Sequence, residues 1–139
     1  MKAVTHEQAQ RAASLLIRFL ETGAPPPGLF TSTVFCDFTS PRWRLQAEGI
    51  RELVELRRAG HPGHGRVTRS RCDPTPTGFV LEFEEEWSHA GESWYARELV
   101  RADVTPEHGE ITELCVYCTG DWDRSRRAQH AREVRLLRP

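Results

Sequence analysis

Phe79-Val80-Leu81-Glu82-Phe83-Glu84-Glu85-Glu86-Trp87 and Trp94-Tyr95-Ala96-Arg97-Glu98-Leu99-Val100-Arg101-Ala102-Asp103-Val104 decide the fold. Both stretches have period two, the spacing of strands whose side chains point alternately to opposite faces. Phe79, Leu81, Phe83, Glu85 and Trp87 share one face of the first; Glu82, Glu84 and Glu86 take the other. Trp94, Ala96, Glu98, Val100, Ala102 and Val104 share one face of the second. The link His89-Ala90-Gly91-Glu92 is short enough only for an antiparallel hairpin. Equally short links, Pro74-Thr75-Pro76-Thr77 and Pro106-Glu107-His108-Gly109, join further strands expected at 66–73 and 110–119. Strands at 66–73, 78–88, 93–104 and 110–119 therefore form an antiparallel meander.

Upstream the period changes to that of a helix. Ala9, Ala12, Ala13, Leu16, Phe19 and Leu20 make one apolar stripe over 5–21. Thr5 and Gln8 have the spacing of a capping box, Gly23 stops the helix, and Pro25-Pro26-Pro27 forbids its return. A short strand is expected near 33–38. Ser40-Pro41 reads as a helix start, a cap followed by proline. A second helix is expected over 47–59, with Ala47, Ile50, Leu53, Val54 and Leu56 on its apolar side and His61-Pro62-Gly63-His64-Gly65 as the loop beyond. Asp121 to Leu137 reads as a last helix, with Ala128, Ala131 and Val134 on one side.

Helices first and a long meander afterwards specify an α+β fold with the helices on one sheet face. A sheet of long twisted strands curls over the helices, and a cavity opens where the two layers diverge. No repeat, linker or low-complexity stretch divides the 139 residues, so one domain over 1–139 is expected.

The order of these elements resembles a known family. Val34-Phe35-Cys36-Asp37-Phe38, Pro41-Arg42-Trp43, Glu48-Gly49-Ile50 and Ile111-Thr112-Glu113-Leu114-Cys115-Val116-Tyr117 follow in sequence, closed by Cys118-Thr119-Gly120-Asp121-Trp122-Asp123. This arrangement is similar to the nuclear transport factor 2-like superfamily, in particular its SnoaL-like polyketide-cyclase branch. The resemblance implies a conical barrel, a curved antiparallel sheet wrapped around the N-terminal helices with a C-terminal helix added. It also implies an internal pocket for a small hydrophobic molecule and a homodimer through the outer sheet face. Isomerases, cyclases and dehydratases share the superfamily with non-catalytic binding and protein-interaction modules, so function has to come from the site. The branch places an acid–base residue near the end of the last strand, where this chain has Asp121.

Composition bounds the rest. A net charge of −1 is unlike a general nucleic-acid binder, which needs a basic excess. Arginine supplies all the basic residues but Lys2, scattered from Arg11 to Arg138 as coding bias would leave it. No run of apolar residues is long enough to span a membrane, and the N-terminus has no apolar signal segment, so a cytoplasmic protein is expected. Cys36, Cys72, Cys115 and Cys118 are then expected reduced. Cys115 and Cys118 fall mid-strand on opposite faces and do not form a redox or zinc pair. His61 and His64 lack a nearby carboxylate, so no metal is expected, and no nucleotide or serine-hydrolase motif is present.

Glu85 and Glu98 are the sharpest site candidates. Each is a single carboxylate in an apolar row, and a hairpin about 90–91 sets 85 against 96 and 98 against 83, leaving the two acids diagonal neighbours. An acid so placed is either paired or raised in pKa, and a raised pKa suits a general acid or base. The competing reading pairs them with Arg97, Arg101 or backbone, or sets their row against a second copy. Asp37 reads as an acid at the pocket mouth or as a turn cap. Asp121 and Asp123 read as pocket acid or helix caps, and His130 as proton carrier or packed helix residue. Trp43, Trp87, Trp94, Trp122 and Phe83 would wall a ligand or fill the core, and Tyr117 would donate to a ligand or pack. Val80, Leu99, Leu114 and Val116 are expected on the outer face. The expected function is acid–base chemistry on a hydrophobic metabolite without cofactor; the alternative is a binding or interaction module.

Overall fold

The computed structural model describes residues 2–139. The helix α1 (His6–Thr22) starts at Thr5, whose hydroxyl accepts from the Gln8 N–H while the Gln8 side chain accepts from the Thr5 N–H. Gly23 ends it in the left-handed conformation, φ 74°, which costs glycine nothing. Ala9, Ala12, Ala13, Leu16 and Phe19 are buried on its stripe. Then come β1 (Phe30–Thr39), β2 (Arg44–Glu48), α2 (Ile50–Gly60), β3 (Gly65–Thr75), β4 (Gly78–His89), β5 (Glu92–Val104), β6 (Ile111–Cys118), β7 (Trp122–Asp123) and α3 (Arg124–Glu133).

The strands form one sheet in the order β2-β1-β6-β5-β4-β3, with β7 added to β5. The expected meander is its half β3 to β6, and every neighbour there is antiparallel. One pairing differs from the expected sheet: β1 runs parallel to β6. Its cause is topological, since the meander separates the two strands in the chain and no tight turn dictates their direction. The sheet is curved and unclosed, and β2 and β3 form its ends. Residues from both layers, including Phe19, Leu29, Phe79, Phe83 and Ile111, are fully buried between helix and sheet. Each such side chain contributes about 1.5–3 kcal/mol. Phe19 meets Phe30 edge to face, with ring centres 5.4 Å apart.

Four local expectations are corrected. Ser40-Pro41 opens the β1–β2 turn instead of a helix, and the Ser40 N–H bonds the Trp43 carbonyl at 2.8 Å. Serine followed by proline serves either purpose, and pairing with β1 decides here. The second helix consequently begins at Ile50, because Arg44–Glu48 is a strand and Gly49 sits at φ 87°. The last helix ends at Glu133 and buries nothing. Finally, Leu114 and Val116 belong to the inner face. β6 sets them against Ala102 and Val100 of the inner β5 row, which leaves Leu99 on the outer side opposite Tyr117.

Candidate acid–base site

The register of β4 and β5 is the one expected from the turn: Phe83 faces Glu98 and Glu85 faces Ala96. Both acids point inward and are almost fully buried, Glu85 at 2% exposure and Glu98 at 5%. They have unequal surroundings. Arg57, in the last turn of α2, grips Glu85 with both guanidinium ends: Nη2 to Oε1 at 2.5 Å and Nη1 to Oε2 at 3.0 Å. The same Nη2 donates to the Leu20 carbonyl at 2.6 Å, so Arg57 also satisfies an end of α1. Arg57 was not legible as the partner, since helical spacing says nothing about which strand residue a helix end will meet. The readings that paired the acids with Arg97 or Arg101 are replaced: Arg97 lies beside Glu84, and Arg101 beside Asp103 and Glu113.

Glu98 has no such cation, and its Oε2 is buried with no hydrogen-bond donor. Burial of Glu85 acts to raise its pKa, but hydrogen bonds from Glu98 and Arg57 and the Arg57 charge outweigh it and hold the value down to about 2. Burial raises Glu98 well above the usual carboxylate range, and the hydrogen bond to Glu85 and its negative charge add to that. Two carboxyls in contact cannot both ionise, so one proton stays in the pair, on Glu98. Cys118 stands beside Glu98, its thiol pushed up by burial and then by that acid.

His61 caps the C-terminus of α2, one helical turn beyond Arg57. Its ring stands edge-on to Trp87, centres 3.8 Å apart. Burial, followed by the Arg57 charge, lowers its pKa to about 4, so the imidazole is neutral at pH 7. Its Nε2 is buried without a hydrogen-bond partner, 3.9 Å from Asp121 Oδ1. Asp121 follows β6 and is half exposed; burial and then Glu85 raise its pKa. Glu85, Glu98, Arg57, His61 and Asp121 thus gather at one end of the space between α2 and the sheet.

That space is a cavity of about 300 Å³. Its wall is apolar, with Leu16, Phe19 and Leu20 from α1, Leu53 and Leu56 from α2, and Phe38, Phe83, Val100, Leu114 and Val116 from the sheet. The charged or ionisable side chains in it are Arg57, His61 and Glu98, with the Cys36 thiol. Among the described residues no group of three His, Cys, Asp or Glu side chains is arranged to hold a metal ion.

The other candidates lie elsewhere. Asp37 is on the outer face in a two-bond ion pair with Arg44, which holds its pKa below the ordinary value, so the pocket-mouth reading is replaced. Strand parity places it there, since Cys36 and Phe38 on either side point into the cavity. Tyr117 is 57% exposed on the same outer side, and Trp43 is 65% exposed in the β1–β2 turn. Trp122 lies between Tyr95 and His130, and this stack keeps His130 on the surface helix. Asp123 caps α3 through the Arg126 N–H at 2.7 Å. Trp87 is core, packed on His61, and Trp94 borders a polar surface depression with Arg66, Glu86 and Arg127. Of the expected ligand wall, Phe83 lines the cavity.

No protein-family model and no curated protein matches the sequence. Solved structures do match. A protein of the nuclear transport factor 2-like kind from Anabaena variabilis superposes with a TM-score of 0.66, at 18% identity, over 83% of this chain and 89% of its own. The chain has the nuclear transport factor 2-like fold. A second match within that fold is SalBIII, an epoxide hydrolase/cyclase-like enzyme of pyran ring formation in the polyether salinomycin, with a TM-score of 0.66, 12% identity and coverage of 84% and 97%. A phenazine biosynthesis-related protein from Pseudomonas aeruginosa has a TM-score of 0.61 at 12% identity, covering 96% of this chain and 93% of its own. At such identities the likeness to nuclear transport factor 2-like proteins is one of fold, and the polar end of the cavity has to be read from this chain's own residues.

Proposed function

We propose that this protein is a cofactor-independent acid–base enzyme of the isomerase, cyclase or dehydratase type, working on a hydrophobic small molecule held in the cavity. The observation that carries the reading is Glu98: a carboxyl in an apolar cavity wall, kept protonated by burial and by the ionised Glu85 at its side. An acid whose pKa is raised keeps its proton where an ordinary carboxyl has lost it, and so has one to lend to a bound molecule, as a general acid must. Glu85, locked by Arg57, would stay ionised through the cycle and steady the proton on Glu98. Neutral His61 would take or return a proton at the same end, with Asp121 as its route to solvent. The enzyme-like character of SalBIII, a structural match, favours catalysis over simple binding.

The test begins with native mass spectrometry of gently purified protein to find a retained molecule. That molecule is then incubated with the protein in deuterated water. The expected result is conversion or deuterium uptake by the wild type, lowered at least about 100-fold by Glu98→Gln. If the wild type converts and exchanges nothing, the binding module takes the place of the enzyme.

A further inference from the structure

The cation in the cavity wall is already paired, and this limits what can enter. Arg57 is the positive group in the wall, and Glu85 neutralises it through two bonds. Its Nη2 is further spent on the Leu20 carbonyl. A carboxylate or phosphate brought to this end would find Arg57 already paired with Glu85 and no other cation in the wall. An ammonium would lie against Arg57. Either charge would also leave water for a wall made of Leu, Phe and Val side chains, which offers an unpaired ion nothing in return. What the wall lacks is a donor for one atom, the Glu98 Oε2, which is buried without a partner.

We propose that the cavity takes an uncharged molecule of about ten non-hydrogen atoms, apolar except for one hydroxyl that donates a hydrogen bond to the Glu98 Oε2. The size follows from 300 Å³ of space, with ~30 Å³ for each water-sized group. The Glu98 O–H is turned to ionised Glu85, so its free Oε2 is an acceptor, and a hydroxyl is the uncharged group that donates to it. The inference rests on the reading of this cavity as the binding site, and it specifies the class of molecule bound.

Three probes of one shape separate the charge states: cyclohexylmethanol, cyclohexanecarboxylate and cyclohexylmethylammonium. Each is titrated into the protein at neutral pH while methyl NMR signals of Leu53, Val100 and Val116 are followed. The alcohol should shift all three residues and bind at least about tenfold more tightly than either ion. Glu98→Leu, which replaces a buried acid by an apolar group of similar size, should fold and lose that advantage. Equal or tighter binding of either ion overturns the proposal. Failure of all three to shift the methyls overturns it as well, as does unchanged alcohol affinity in Glu98→Leu. Selective alcohol binding by a protein that neither converts nor exchanges its retained molecule would uphold this inference and reject catalysis. Turnover of a charged substrate would reject the inference and leave catalysis standing.

Discussion

Arg57 and Glu85 meet through two hydrogen bonds, Nη2 to Oε1 at 2.5 Å and Nη1 to Oε2 at 3.0 Å, across the gap between helix α2 and strand β4. Both side chains are buried, with exposures of 11% and 3%. A buried pair of this kind is costly to assemble and more costly to break, because the survivor keeps its charge without a partner. Arg57→Met should therefore lower stability by about 3–5 kcal/mol, measured as a denaturant midpoint. Adding Glu85→Leu to it should recover much of the loss. A double variant as unstable as Arg57→Met alone would show that the cost is lost packing, not an orphaned charge.

Acid should destabilise the fold in two separate windows. His61 has a pKa of about 4 in the folded chain against 6.5 ordinarily. The unfolded chain therefore takes up its proton first, and stability falls as pH drops from 6.5 toward 4. Arg57, Glu85 and Asp121 are the charged groups facing the ring. Glu85, at about 2 against 4.5, contributes stability above 4.5 that is lost as pH falls toward 2. In His61→Gln the slope of unfolding free energy between about pH 6.5 and pH 4 should flatten, while the more acidic loss remains. An unchanged upper slope would mean that the imidazole is not held neutral.

Glu98 acts with the opposite sign. Its folded pKa is raised, so the folded chain holds the proton longer than the unfolded one. Stability is whole below the ordinary value of 4.5 and declines as pH rises toward the folded value. Glu98→Gln keeps the shape and removes the titration. Its stability relative to wild type should rise steadily as pH climbs above 4.5, even as turnover is lost. A constant difference across that range would place the proton elsewhere in the pair.

Much of this site was legible because strand parity is unforgiving. Alternation over 79–87 and 94–104 put Glu85 and Glu98 on the inner face, and the turn at 90–91 set their register, which the β4–β5 ladder reproduces. Parity reads only what shares a strand. It does not say which helix end lies above Glu85, so Arg57 and the neutral His61 came from packing between α2 and the sheet. The readings of Asp37 and Tyr117 stay open in the sequence for a related reason: their strands β1 and β6 pair over a long stretch of chain, with no short turn to fix the inner side. The strand β2 was hidden by a Ser-Pro signal that serves turns as well as helix starts.

Gly78 is required for proximity and not for backbone freedom. A Cβ built there would lie 1.9 Å from the Ala102 carbonyl oxygen and 3.1 Å from the Asp103 Cα, both backbone atoms that cannot swing aside. Gly78 pairs with Asp103 at the end of the β4–β5 ladder. Gly78→Ala should force the two strands apart and cost ~2–4 kcal/mol. A loss under about 0.5 kcal/mol would mean that this end of the ladder shifts freely.

The C-terminal segment should prove separable from the cavity. The last helix is shorter than expected, buries no residue and puts none of its side chains in the cavity wall. Beyond it Val134, Leu136 and Leu137 are exposed at 46%, 62% and 84%. What anchors α3 is the stack at its base, where Trp122 lies 5.8 Å from Tyr95 and 5.1 Å from His130, with Arg126 over its ring. A chain ending at Glu133 should thus unfold within about 0.5 kcal/mol of the full chain, because the deleted residues touch no core. Trp122→Ala should cost about 1–2 kcal/mol and loosen α3, seen as faster amide exchange across 124–133. Neither change should alter binding of cyclohexylmethanol, and a truncated chain that binds it about tenfold more weakly would make the tail part of the pocket after all.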